Sequence, residues 1–218
     1  MDSNLTIIQG SIKDLTPVKQ VLAPAKLQPA SIVISGVGAI PAVKASILNP
    51  ITMEDPKVCE EGLTTVLAAL RSLRRENAIT ETQRPLLVAI SSTGLSKTRD
   101  VPLAYYGLYH VLLKVPHEDK KAMESVIAKA TMEIGDDSPI SGFVITRATL
   151  LLNGEGKGLN KVKAGWDTHP EAINAKEDKG AKPAIGYSIR RADVGAWIFE
   201  QVVKGNEYWV NKCVSLTS

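Results

Sequence analysis

The sequence predicts an α/β fold: a parallel β-sheet flanked by helices. Three observations lead there. Apolar runs of strand length alternate with helix-period segments of ten or more residues, the pattern of a parallel sheet with helical crossovers. One run, Leu86-Leu87-Val88-Ala89-Ile90, is apolar throughout, which suits a strand covered on both faces. The chain has 218 residues, 44% of them hydrophobic and 22% charged, enough for one packed core. A single domain over residues 1–218 is therefore expected.

The elements follow in order. Leu5-Thr6-Ile7-Ile8 is a short β-prone run ended by Gly10. Asp14 can cap a helix through Val18 to Leu22, with Pro17 in the first turn, where its missing N–H removes no helical bond. Residues 31–35 (SIVIS) form a second strand closed by Gly36-Val37-Gly38, and a polar, proline-containing stretch runs from Asn49 to Pro56. Leu63, Val66, Leu67, Leu70 and Leu73 share one helical face, and Arg71, Arg74 and Arg75 favour the C-terminal end of that helix. The apolar strand at Leu86 ends in Ser91-Ser92-Thr93-Gly94. Two helices are expected next, split at Pro116: Leu103 to Lys114, then one starting at His117 with Met123, Val126, Ile127, Ala130 and Ile134 inward. Phe143-Val144-Ile145 marks a strand and Asn153 to Gly158 a flexible glycine-rich loop. Residues 153–184 are expected to form a mobile loop on the substrate side. Ile185 to Ile189 is strand-like, a helix opening at Asp193 stops at Gly205, and Trp209 to Leu216 supply the last strand.

Composition excludes several classes. Charge is mixed, with 26 basic and 23 acidic residues for a net of +3, which is no nucleic-acid footprint. No apolar stretch approaches the roughly 20 residues of a membrane span. MDSNLTIIQG lacks the basic and apolar regions of a secretory signal. Cys59 and Cys213 read as reduced thiols. The expectation is a soluble cytoplasmic protein with no nucleic-acid or membrane partner. His110, His117 and His169 lack metal-ligand spacing, so no metal site is expected.

In open α/β sheets ligands bind beyond the carboxyl ends of the strands. That rule selects Gly10-Ser11, Ser35 to Gly38, Ser91-Ser92-Thr93 and Arg147-Ala148-Thr149, although small and hydroxyl residues also suit plain strand-to-helix turns. Gly36-x-Gly38 lacks the third glycine of a dinucleotide fingerprint, its place being Pro41, and Gly154-x-Gly156-x-Gly158 has the wrong spacing. No P-loop, HExxH, GxSxG or CxxC is present. His117 titrates near neutrality and heads the charged run His117 to Lys121, which serves equally as a solvated helix start.

The succession IIQGSIKDL, SIVISGVGA, VAISSTG, HEDKKAMESVI, FVITRATLL and IGYSIRRADVGAWIFE resembles atypical short-chain dehydrogenases of the NmrA-like group. Ser92-Thr93-Gly94 through Arg99-Asp100-Val101-Pro102-Leu103, with residues 116–121 (PHEDKK), is more closely similar to fungal averufin oxidase A-like proteins, which accompany aromatic polyketide pathways. The resemblance covers essentially the whole chain. It implies a Rossmann-like fold, NADP or NAD as cofactor, and oxidoreduction of a small aromatic polyketide of anthraquinone or xanthone type.

Position by position, Gly10 and Asp14 match the turn after the family's third strand, with Ser11 where an acid is usual. Ser35, Gly36, Val37 and Gly38 match the segment beside the cofactor's ribose and nicotinamide, and Ser91 and Ser92 the serines after the fifth strand. Arg147 matches a family arginine, followed here by Ala148 instead of proline. Lys120 matches the lysine of a Tyr-x-x-x-Lys pair whose tyrosine position is Pro116. The implied catalytic set is Lys120 and Ser92, with His117, or Tyr105, Tyr106 or Tyr109, in place of the tyrosine acid.

The match also begins at the family's third strand. The glycine-rich βαβ unit, roughly 30 residues, would precede Leu5, so weak cofactor binding is expected. The run at Leu5 would lack a neighbour, and residues 31–35 would form an apolar edge open to pairing as a homo-oligomer. Two other functions fit the residues: a cofactor-independent isomerase or dehydratase with His117 as base, and a non-catalytic dinucleotide-sensing or binding protein.

Overall fold

The computed structural model describes residues 5–43, 51–105, 114–132, 138–176, 180–205 and 207–218. Five strands form the main sheet: β1 (Ile32–Ser35), β4 (Leu86–Ser92), β5 (Gly142–Ala148), β9 (Lys212–Thr217) and β7 (Lys163–Asp167), in that spatial order. The first four are parallel, and β7 runs antiparallel to β9 at the far edge. The sheet is mixed, mostly parallel. Short pairs lie outside it: β2 (Pro41–Val43) with β3 (Ile51–Met53), antiparallel, and β6 (Leu150–Leu152) with β8 (Ser188–Arg190), parallel.

Helices cover both faces. On one side α1 (Leu15–Leu22), α2 (Val58–Arg75) and α3 (Lys114–Ala130) pack against Leu87, Ala89, Phe143, Ile145 and Cys213. On the other, α4 (Arg191–Ile198) sets Val194, Trp197 and Ile198 against Val88, Val144, Val214 and Leu216. Successive residues of β4 and β5 alternate between these two cores, which is why their sequences are apolar without interruption.

The caps explain several boundaries. Asp14 accepts from Thr16 N at 3.1 Å and starts α1 as expected. Lys57 precedes α2 and makes no side-chain cap; instead the carboxylate of Asp119, from α3, accepts from Cys59 N and Glu60 N at 3.1 and 2.9 Å. A negative group thus meets the positive end of α2 and joins the two helices. Beyond α4 the chain takes one π-type turn over Phe199–Val203 and stops at Gly205, whose φ of 91° suits glycine.

Three expectations are corrected. Residues 5–10 form no strand, and Leu5 and Ile7 are 71% and 83% exposed. Strand propensity has no effect without a partner strand, and β1 is the edge of the described sheet, with Ile34 half exposed. Helix α3 is described from Lys114 rather than from His117, so Pro116 sits in its first turn and His117 lies inside it. The stretch 153–184 is no continuous loop: it contributes β7 and buries Thr168, His169 and Ala172, because the outer side of β9 needs a pairing partner. Most of the expected helix from Leu103 to Lys114, with Tyr106, Tyr109 and His110, lies outside the described residues, as does Ile134.

Candidate active site at the strand ends

A cavity of about 470 Å³ opens at the carboxyl ends of β1, β4 and β5. The segment Gly36 to Ala39 forms one wall and Ile90, Ser91 and Ser92 the floor. Ala148 to Leu151 form the opposite wall, and Lys120 and Arg191 reach in from α3 and α4. A second cavity of about 270 Å³ lies between residues 8–12, α1 and β1, and shares Gly36 and Val37 with the first. Gly10 and Ser35 line this smaller space.

Lys120 is placed by the fold on both sides. The docking of Asp119 on α2 fixes its helix, and its Nζ donates to Val37 O at 2.9 Å and Ile90 O at 2.8 Å. An ammonium has three protons, so one donor remains for the cavity. Lys120 therefore ties the ends of β1 and β4 together and still presents a charge-bearing donor.

The serines are oriented differently. Ser91 Oγ donates to Glu124 Oε1 at 2.5 Å, so its only hydroxyl proton is engaged and it offers lone pairs to the cavity. Ser92 Oγ donates to Thr93 O at 3.1 Å. Ser35 Oγ, in a residue only 8% exposed, has no hydrogen-bond partner among the described residues. A buried hydroxyl left unsatisfied beside a cavity is a group that a ligand can satisfy.

Gly36 and Gly38 test whether a large ligand fits. A Cβ at Gly36 would meet nothing nearer than 3.9 Å, and one at Gly38 nothing within 4 Å. Neither glycine has a positive φ. Packing and backbone conformation do not require glycine at either position; its absent side chain leaves cavity space along exposed backbone. This leaves room for a ligand to lie along the backbone of Gly36 and Gly38. Gly10 is different: a Cβ there would lie 2.6 Å from the Cβ of Pro17, so packing on α1 demands it.

Arg147 lies outside the cavity lining, buried between β5, α3 and β7. Its Nε and Nη2 donate to Glu124 at 3.0 and 2.6 Å, and its Nη1 to Asp167 at 2.8 Å and Ser96 Oγ at 2.9 Å. Burial opposes its charge, but Glu124 and Asp167 outweigh that and hold its pKa above the ordinary value. Burial moves the Asp167 carboxyl above its usual range, against the pull of Arg147. Burial likewise raises Cys213 well above a free thiol and Cys59 to about 11, so neither is a ready nucleophile.

The structure thus gathers Gly36, Val37, Gly38, Ser91, Ser92 and Lys120 on one cavity and Gly10 with Ser35 on the adjoining one. Asp14 is the cap of α1, and Arg147 supports Ser91 through Glu124. His117 precedes Lys120 by one turn of α3 and is not among the lining residues. Ala148 and Thr149, selected by the strand-end rule, line the cavity, and Arg191 lines it without having been singled out from the sequence. Arg191 carried a signal nonetheless: a cation in the first turn of a helix opposes the dipole. No group of His, Cys, Asp and Glu able to hold a metal occurs among the described residues.

No family model matches the chain. It is 38% identical over 226 residues to the reductase pytE of Aspergillus terreus, spanning 98% of this chain and 78% of that protein. It is 32% identical over 248 residues to the oxidase pynE of Aspergillus niger, spanning all of this chain and 80% of that one. The chain belongs to this family of fungal oxidoreductases. Its fold is Rossmann-like: the structure of an anaerobilin reductase, ChuY of Escherichia coli O157:H7, matches with a TM-score of 0.53 at 18% identity, over 95% of this chain and 72% of that one. Among the described residues, no helix of this family member is long and apolar enough to cross a membrane.

Proposed function

We propose that the chain is an NAD(P)-dependent oxidoreductase acting on a small aromatic, polyketide-like substrate of fungal secondary metabolism. The observation that carries this is the pair of adjoining cavities meeting at Gly36 and Val37, with Lys120 facing the larger. An elongated ligand laid over the strand ends would reach from Gly10 past the open glycines to Lys120. Kinship with a reductase and an oxidase supports redox chemistry, and the apolar walls of Val37, Ala39, Ile90, Leu150 and Leu151 suit a flat ring system.

When bound, a nicotinamide supplies or accepts the hydride. The chain's own residues would do the rest. The remaining Lys120 donor would hold a ribose hydroxyl or a substrate oxygen and stabilise negative charge that develops there. Ser92 would assist in orienting the reacting carbonyl. The proton is assigned to His117, one turn from Lys120, because Pro116 occupies the tyrosine position and has none to give. The smaller cavity, with Gly10, Ser11 and Ser35, would take the far end of the cofactor. The chain contains no G-x-G-x-x-G turn, so the affinity is expected to be low.

Consumption of NADPH and NADH absorbance with a panel of quinones and aromatic ketones tests this reading. Turnover should appear, and should fall about a hundredfold in His117→Ala. Unchanged turnover in that variant removes His117 from the mechanism. Conversion of a substrate without any dinucleotide would favour an isomerase or dehydratase. The proline at position 116 favours one other reading, a non-catalytic dinucleotide-binding protein, for which binding without turnover is the expected result.

A further inference from the structure

The larger cavity carries a charge imbalance that hydride transfer does not require. Among the described residues its two ionised lining side chains, Lys120 and Arg191, are both cations, and no carboxylate lines it. Lys120 donates to two backbone carbonyls and pairs with no carboxylate among the described residues. Arg191 uses Nη1 alone, toward Asn153 Oδ1 at 2.6 Å and Leu151 O at 3.3 Å, both neutral acceptors. Lys120 is half-buried and Arg191 exposed, so two positive charges on one cavity favour an anion between them.

The geometry says more about Arg191. Nη1 is pinned, while the Nε and Nη2 donors have no partner among the described residues. That edge of a guanidinium is the two-donor face that matches a carboxylate bidentately. The support is built as well. Asn153 opens the glycine-rich loop, and Asp193 clamps that loop by accepting from Lys157 N at 2.9 Å and Gly158 N at 3.0 Å. A Cβ at Gly156 would lie 2.5 Å from Asp193 Oδ1, so glycine there is a requirement of the clamp. A loop that the sequence suggested was flexible instead holds the residue that holds Arg191. Position 191 also sets a cation against the dipole of α4, a placement that helix stability does not explain.

We propose that Arg191 determines specificity and that the substrate is an acidic aromatic molecule whose carboxylate sits on the Nε–Nη2 edge of Arg191. The proposal rests on reading this cavity as the substrate side of the oxidoreductase site. The same chemistry would also accept a dinucleotide phosphate, and the test separates the two sources.

The probes are 2-naphthoate and 2-naphthamide, one ring system with and without the charge, titrated calorimetrically into wild type, Arg191→Gln and Arg191→Lys. Wild type should bind naphthoate at least about tenfold more tightly than naphthamide. R191Q should lose at least about tenfold on naphthoate and change naphthamide by less than about twofold, with R191K between. Retained naphthamide binding shows that the variant is folded. Naphthoate that fails to bind, binds no better than naphthamide, or is indifferent to R191Q overturns the proposal. NADPH and inorganic pyrophosphate form the second arm: their affinities should be unchanged in R191Q. A loss confined to them assigns the anion to the cofactor and overturns the substrate assignment. Arg191-dependent naphthoate binding in a protein that never binds NADPH or NADH would sink the oxidoreductase reading and leave the anion site standing.

Discussion

Two arginines of this chain meet opposite fates. Arg147, 2% exposed, is enclosed by Glu124 and Asp167 with every nitrogen bonded, and Glu124 in turn accepts from Ser91. Arg191, on the cavity wall, has neutral partners at one nitrogen and open donors on the other edge. Where charge is buried for structure, the chain supplies counter-charges; at the cavity, among the described residues, no carboxylate faces the cations. The difference separates a scaffold that positions the site from a surface that awaits a ligand.

The largest test of that contrast is to remove each guanidinium. Arg147→Leu strands two buried carboxylates and should destabilise the fold by about 3–5 kcal/mol. For a chain of this size that is a fall in Tm of roughly 10 °C or more. R191Q should leave stability within about 0.5 kcal/mol, since no buried partner is orphaned. Thermal unfolding of both variants measures the difference, and equal losses would break the comparison.

A smaller effect comes from His169, which borders the buried network. Its Nδ1 accepts from Glu171 N at 3.2 Å, and burial lowers its pKa. The unfolded chain takes up a proton near the ordinary histidine value of about 6.5, while the folded chain resists it. Stability is therefore complete above that pH and declines as pH falls below it, by at most about 1.4 kcal/mol per pH unit for one proton. His169→Gln should flatten that part of the pH profile; an unchanged slope would assign it to other groups.

Much of the scaffold was legible in the chain. The leucines of α2, the uninterrupted apolar run of β4 and Asp14 as a cap are local signals that the tertiary structure keeps. Ser91 and Ser92 could be placed because they sit at the end of β4, whereas Lys120, inside a helix, was indicated by the family resemblance alone. What escaped was whatever depends on distant partners. The run at Leu5 reads as a strand but joins no described sheet, and β7 reads as loop because its pairing with β9 is set by a distant segment. Arg147 looked like a ligand contact because the carboxylates that claim it sit 23 residues before and 20 after it in the chain. Arg191 gave only the weak signal of a cation in a helix's first turn, and the folded cavity shows that no described carboxylate pairs with it.

The central claim is that the cavity ending at Lys120 takes a nicotinamide dinucleotide. Calorimetric titration of NADPH and NADH into wild type and Lys120→Met tests it most directly. Saturable binding of at least one dinucleotide, weakened about tenfold or more in K120M while the fold persists, is the predicted result. Absence of binding to wild type by either dinucleotide, or binding that K120M leaves unchanged, would contradict it.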